Sequence, residues 1–304
     1  MNINSRHTVS SKMKSVTGKS KNLSFSGHET FHCRSLWLKK GYDLVSSGHE
    51  FAEPEIVVEL GVGKNMARSI EYWIRAFGIK EEDRLSKVLI GSRGKDPYLE
   101  NMATLWLLHH RLITNQVASI YSLVFNEFRR EKTEFTRDQL LMFIRRKCEQ
   151  SGVPFNRETV ERDIGVFLKT YLSQGGSRSN LEDDVLGLFV DLELVEELET
   201  ADDIRVKRYR IVSSDRPSLP AEIVLSCILM NESYGDSVSF YELLNGFNSV
   251  GSIFALSADG LMSKIELLTG KLRSLTYKED AGVRLVQFKS KSDPWQLIKE
   301  FYES

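Results

Sequence analysis

Residues Glu55–Ile79, EIVVELGVGKNMARSIEYWIRAFGI, decide how this chain is read. Ile56, Val57 and Leu60 recur at helical spacing and then meet Gly61-Val62-Gly63. A second helical pattern begins at Lys64 and runs to Phe77, where Gly78 is placed to end it. Two short helices joined by a tight glycine-containing turn form a helix-turn-helix signature. At about 100° per residue, Met66, Ala67, Ile70, Trp73, Ile74 and Phe77 share one side of the second helix. Lys64, Asn65, Arg68, Tyr72 and Arg75 collect on the other. An apolar back would hold such a helix on its domain while cations, an amide and a phenol face a nucleic acid. A core helix with a solvated basic face is the plain alternative, since surface charge is common.

Outside this stretch, composition sets the bounds. The chain has 304 residues, room for two or three domains, with ordinary globular hydrophobic and charged fractions of 41% and 27%. Its net charge of −1 means that any surface for nucleic acid is a local patch. Three widely spaced cysteines, Cys33, Cys148 and Cys227, argue for a reducing compartment rather than a disulfide framework or a cysteine zinc cluster. No apolar run has transmembrane length, and the first residues lack the core of a signal peptide, so the expected location is cytoplasmic, with no membrane contact. Residues 1–24 carry Arg6, Lys12, Lys14, Lys19 and Lys21 with no acid, and read as a disordered basic arm.

His28, Glu29 and His32 match H-E-x-x-H, which on a helix would hold zinc with the glutamate as general base. A hydrolytic zinc site needs a third protein ligand, and none follows at zincin spacing. Ser26-Gly27 also occupies ground where a zincin helix would already be running. A polar turn leading into a helix over Leu36–Leu44 is the better reading.

The same run carries a family resemblance. HETF at His28–Phe31, then Arg34, WLKKGYD at Trp37–Asp43, LGVGKNM at Leu60–Met66, DPYLE at Asp96–Glu100 and TLWLLHH at Thr104–His110 together resemble a bacterial domain-of-unknown-function family, number 4007. Near the C-terminus GLMSKIELL, YKEDAGVRLVQF and DPWQLIKEFY have the same look. Members of that family are met in phage-defence and DNA-modification gene islands, beside proteins resembling phosphoadenosine-phosphosulfate reductases of the phosphorothioation type. The family pattern asks for HETF and not for His32. The resemblance implies a role in DNA modification or restriction and brings no enzymatic chemistry with it.

Past the helix-turn-helix, Arg84, Lys87, Arg93 and Lys95 flank Val88-Leu89-Ile90 and a Gly91–Gly94 loop, which could form a hairpin wing. Asp96-Pro97 reads as the N-cap and first residue of a helix carrying Met102, Leu105, Trp106, His109 and Leu112, with His109 and His110 structural. Residues 117–172 read as helical, with helices over Ile120–Phe128 and Thr136–Cys148 and a third capped by Asn156 or Thr159. Arg157, Arg162 and Lys169 face outward on this last helix, but Glu158, Glu161 and Asp163 weaken any DNA contact there. SQGGSRSN at Ser173–Asn180 is a linker signal. From Glu182 to Asp203 every charge is negative, and Val185–Val190 could pair with Arg205–Val212 as strands around this stretch. Asp183, Asp184 and Asp191 would serve a nuclease only with a lysine and carboxylates fixed on a core sheet, a pattern absent from the sequence.

Pro217–Ser304 reads as a winged helix: helices over Ala221–Met230, Ser239–Asn245 and Leu256–Leu275, a hairpin turning at Asp280-Ala281-Gly282, and a closing helix at Pro294–Tyr302. Lys264 and Lys271 are expected on the outer side of the third helix, with Lys278 and Arg284 on the hairpin. The fold expected is mainly α, with winged helix-turn-helix modules at both ends (25–115 and 217–304) joined by a helical connector, 116–216, that carries the acidic stretch and a few short strands. The function expected is a non-catalytic DNA-binding component of a bacterial defence or phosphorothioation-type system, without cofactor or metal. Lys64, Asn65, Arg68, Tyr72, Arg75, Arg93, Lys95, Lys264, Lys271, Lys278 and Arg284 would touch double-stranded DNA. An adaptor that assembles protein partners is the alternative, a zinc hydrolase on HETFH the less favoured third, and self-association into a homo-oligomer is left open.

Overall fold

Local capping chemistry and a few glycines set the element ends. The computed structural model describes residues 23–53, 55–173, 186–199 and 206–304. Nearly all of the expected basic arm, most of the SQGGSRSN linker, Asp183 and Asp184 lie outside these residues. Helices α1 (Ser35–Ser46), α2 (Ile56–Leu60) and α3 (Lys64–Ala76) build the N-terminal part. Gly61 ends α2 with φ at 63°, the left-handed conformation that glycine adopts without steric cost. Gly41 on α1 faces Ile70 and Ile74 of α3, and a Cβ there would lie 2.4 Å from Ile74 Cγ1. The close approach of these two helices therefore depends on the missing side chain.

The wing expected over Arg84–Lys95 is not a hairpin. Asp83 accepts the backbone N–H of Ser86 and caps α4 (Arg84–Leu89), whose Leu85 and Leu89 are buried, so the Val88-Leu89-Ile90 run ends a helix. The next helix also starts later than Asp96-Pro97 predicts. Asp96 is buried and its carboxylate accepts the N–H groups of Glu100 and Asn101, at 2.9 Å each. Asn101 then caps α5 (Met102–Asn115). The aspartate organises the turn before the helix, not the helix itself.

Helix α6 (Ser119–Leu123) widens into a π-helical turn at Val124–Phe128 and closes as α7 (Arg129–Glu131). Strand β1 (Glu134–Thr136) leads to α8 (Arg137–Ser151), where Thr136 and Gln139 form a reciprocal capping box, and Asn156 caps α9 (Arg157–Tyr171). The strand pairing read for the acidic stretch is displaced. Val190–Leu192 is a 3-10 turn, and β2 (Glu196–Leu198) pairs antiparallel with β3 (Arg208–Arg210), which also pairs with β1. Glu196 meets Arg210 at 2.6 Å and Glu197 meets Lys207 at 2.7 Å, so part of the acidic run is matched by the basic run that follows it.

The C-terminal part contains α10 (Ala221–Leu229), β4 (Ser237–Ser239), α11 (Phe240–Asn245), α12 (Val250–Ile253) and α13 (Ala258–Lys271). A hairpin of β5 (Leu275–Asp280) and β6 (Val283–Phe288) follows, with β4 added in the order β4-β6-β5. Ala281 and Gly282 both have positive φ, as the tight turn requires. Asp293 caps α14 (Pro294–Glu303), which packs against α10 and α4. The architecture is mainly α with two small antiparallel three-stranded sheets. One contiguous hydrophobic core reaches from Cys33 to Ile298. Its centre is aromatic, with Tyr171 against Phe125, Phe167 and Phe189.

Two polar clusters tie distant parts of this core together. In the first, Asp163 on α9 is buried and accepts the Ser26 N–H at 3.0 Å and the His28 Nε2–H at 3.0 Å. Thr30 N–H donates to His28 Nδ1 at 3.1 Å, which places the ring proton on Nε2. Ser69 Oγ and Trp73 Nε1 on α3 donate to the His28 and Phe31 carbonyls. The HETF turn is thereby clamped between α3 and α9. In the second, Lys264 is not on an outer face: it is buried, and its Nζ donates to the Arg216 and Leu219 carbonyls at 3.0 and 2.7 Å. Arg216, also buried, donates to the carbonyls of Phe254, Glu193 and Val212, and burial pulls both cations' pKa values down.

Each cluster makes a stability prediction. Asp163→Ala leaves the Ser26 and His28 donors unpaired in the interior and should cost about 3 kcal/mol, read as a lower urea midpoint. Asp163→Asn keeps an acceptor oxygen and should lose less, whereas an unchanged midpoint in both variants would show that the turn does not depend on this carboxylate. Lys264→Met keeps the shape of the side chain but removes the donor to two buried carbonyls, and should cost about 2 kcal/mol. A surface lysine, as the sequence reading had it, would instead give a change within about 0.5 kcal/mol.

Candidate nucleic-acid interface

The face of α3 that looks outward is narrower than helical spacing alone suggests. Lys64, Asn65, Arg68, Glu71 and Arg75 are exposed, and Ala67, Ile70, Trp73 and Ile74 are buried. Tyr72, expected among the outward residues, is buried at 3% exposure. It lies about 80° around the helix from Lys64, at the edge of the polar sector. The HETF turn closes over that edge, with the His28 ring set edge-on to Tyr72 at 5.7 Å between centroids. Burial, then the nearby Asp163 carboxylate, push the Tyr72 hydroxyl far above its ordinary pKa. Tyr72 is thus a core residue and has no base-edge role.

The exposed stripe that remains runs Lys64, Arg68, Glu71, Arg75 along one side of the helix, with Asn65 beside its first turn. Gly63 supplies no side-chain cap, so the first-turn N–H groups of α3 have no side-chain acceptor from the N-cap. Arg68 lies 4.0 Å from Glu29 across the surface, a loose contact between exposed groups. Lys64 and Arg75 make no ion pair with the described residues. Asn115 on α5 donates to the carbonyls of Arg75 and Ala76, and Arg111 to that of Phe77, so the far end of α3 is fixed from behind. Glu71 within the cationic stripe was missed by the sequence reading, although its spacing from Arg75 makes it visible there.

The other expected contacts differ in exposure and in how far they are already paired. Arg93 is exposed on the loop after α4, and Lys95 beside it is paired with Glu303 at 3.0 Å. Lys271 is held by Glu222 at 2.6 Å, and Arg284 by Glu279 at 3.2 Å. Lys278 is exposed on the hairpin. With Lys264 buried, the outer side of α13 presents Asp259, Ser263, Glu266 and Leu267. Lys271 is exposed at the end of the same side but is paired with Glu222, so the side is mixed in charge rather than a basic stripe.

The H-E-x-x-H match is not helical. Glu29 and Thr30 have φ of 47° and 68°, which turns the chain between the two histidines, and both His28 ring nitrogens are engaged. Among the described residues no group of three or more His, Cys, Asp or Glu could hold a metal ion. Cys33, Cys148 and Cys227 are buried and unbridged. His109 is buried between the Tyr171 hydroxyl and the Ile253 carbonyl, and burial lowers its pKa to about 3. Asp191 stands exposed on its 3-10 turn. No helix among the described residues is long and apolar enough to cross a membrane.

Comparison with known proteins places these features in a wider group. The chain is similar to SspB in a magnesium ion-bound crystal structure, with a TM-score of 0.80 and 28% identity, covering 92% of this chain and 88% of that one. A further SspB crystal structure matches over the same shares with a TM-score of 0.78 and 28% identity. No curated protein matches. A family model matches residues 25–302, from the HETF segment through α14, and the chain therefore belongs to the family described as protein of unknown function (DUF4007).

Proposed function

We propose that this protein is a DNA-binding, non-catalytic component of a phosphorothioation-type defence or DNA-modification system, acting in the cytoplasm. The observation that carries the reading is the exposed stripe of α3, where Lys64, Asn65, Arg68 and Arg75 stand on a helix whose back is locked into the core. Its neighbours α2 and Gly61 supply the helix-turn-helix connection, and its uncapped first turn suits a phosphate oxygen. Lys64, Arg68 and Arg75 would meet the backbone, and Asn65 a base edge. Similarity to SspB and membership of the family are consistent with the system named.

The C-terminal part takes the role of a winged helix used for protein partners. Helix α13 has lost Lys264 to the interior, and Tyr241, Phe247 and Leu267 are 75%, 56% and 58% exposed. SspB carries magnesium in one of its crystal structures. Among the described residues of this chain no group of three or more His, Cys, Asp or Glu could hold a metal ion.

Duplex binding measured across a salt series, with unmodified and phosphorothioated DNA, tests the reading. Arg68→Ala/Arg75→Ala should weaken binding at least roughly tenfold and reduce the slope of log affinity against log salt by about two. Wild-type protein with no affinity at low salt would move the function to partner assembly. Conversion of supercoiled plasmid to open circles in magnesium would make the protein an enzyme and overturn the non-catalytic part.

A further inference from the structure

A cleft of about 560 Å³ opens where α5, the loop after α10 and the start of α14 meet, on the side of α5 away from the aromatic centre. Its size and its position between the N- and C-terminal parts are those of a small-molecule site. Leu107, Met230 and Trp295 give it apolar walls, and Glu232 stands at the mouth. Trp295 is held in place by the Arg84 guanidinium, 5.5 Å from its ring centroid, which also pairs with Asp293 beside it.

The informative residue is His110. It lines the cleft, is 8% exposed, and its ring nitrogens make no hydrogen bond with the described residues. Its neighbour on the chain, His109, has both nitrogens occupied. Neither nitrogen is among the fully buried unpaired polar atoms of the described residues, so the ring edge opens onto the cleft, where water or a ligand completes it. Burial, with Arg111 alongside, lowers the His110 pKa to about 4, so the ring is neutral at physiological pH and offers one donor and one acceptor. Arg111 also borders the cleft, but its guanidinium is engaged by Asp83 and by the Phe77 carbonyl. The cleft thus combines flat apolar walls, a neutral donor–acceptor pair and a carboxylate, without an unengaged cation for a phosphate.

We propose that this cleft binds a nucleobase, with Trp295 and Met230 against the ring and His110 at its hydrogen-bonding edge. Glu232 is placed to accept from an exocyclic amine. The base would come from a free nucleoside or from a nucleotide of a single strand, and the two share this recognition.

Isothermal titration of the full chain with adenosine, guanosine, cytidine and thymidine, each to about 1 mM, tests it. At least one nucleoside should bind, and its 5′-monophosphate should bind no more than about threefold tighter, since Arg111 is engaged. His110→Phe keeps an aromatic ring but no nitrogens, and Trp295→Leu changes a half-buried wall; each should weaken binding by about tenfold with the far-ultraviolet circular dichroism unchanged. A short single-stranded oligonucleotide titrated in parallel assigns the source: tighter binding than the nucleoside points to a strand, weaker binding to the free molecule. No binding by any nucleoside or the oligonucleotide overturns the proposal. So does equal binding by wild type and Trp295→Leu, or a monophosphate bound more than about tenfold tighter than its nucleoside.

Discussion

The carboxylate of Asp163 is shared between the Ser26 N–H and the His28 imidazole, inside the protein and 135 residues from the histidine it holds. Much of the N-terminal part depends on that arrangement. The HETF turn uses left-handed backbone at Ser26, Glu29 and Thr30, which non-glycine residues adopt at a cost. The cost is offset because Asp163, Ser69 and Trp73 together satisfy the polar groups the turn carries inward. With the turn in place, Tyr72 and Trp73 are covered, and α3 can turn only its narrow cationic stripe to the outside. An interaction between α9 and the start of the ordered chain thus decides which side chains α3 presents.

A second constraint governs the C-terminal part. Arg129, Arg130, Arg216 and Lys264 direct their charges at backbone carbonyls and hydroxyls rather than at carboxylates. Arg129 reaches the Gly251 and Phe125 carbonyls, and burial lowers its pKa to about 10. Arg130 reaches Asn245, Gly246 and the Ser252 hydroxyl. These cations add donors at the ends of short elements such as α11 and α12, where the Gly246 and Gly251 carbonyls also accept backbone N–H groups. They are structural groups, and counting them toward a DNA surface overstates it. Lys64, Arg68 and Arg75 stand together on α3, whereas Arg93 and Lys278 lie on separate elements, which makes the DNA reading more local than two clamping modules would be.

The polar features of the interior divide in a useful way. His28 and His109 have both ring nitrogens satisfied and behave as parts of the scaffold. His110, one residue further along the same helix, faces a cleft, and its ring makes no hydrogen bond with the described residues. Neighbouring histidines with the same local sequence context therefore have different chemical prospects, and only the surroundings of each ring distinguish them.

Interactions within a few residues were legible in the sequence. The Thr136–Gln139 capping box, Asn156 and Ser239 as caps, Gly61 as a helix end and the turn at Asp280–Gly282 all form where local chemistry places them. The apolar back of α3 and its cationic front followed from the period of the helix. What tertiary structure decided lies at the margins of those patterns. Tyr72 sits at the edge of a polar sector and was drawn inward by a turn from elsewhere. Lys264 has the spacing of a surface residue but meets two carbonyls of a distant loop. Asp96 satisfies a turn because the chain bends before the helix, and β3 pairs with Glu196–Leu198 and Glu134–Thr136 through contacts that no local pattern specifies. Local sequence determines hydrogen bonds closed over three or four residues; which side of an ambiguous residue is buried depends on the segment that packs against it, and that is settled only when distant parts of the chain meet.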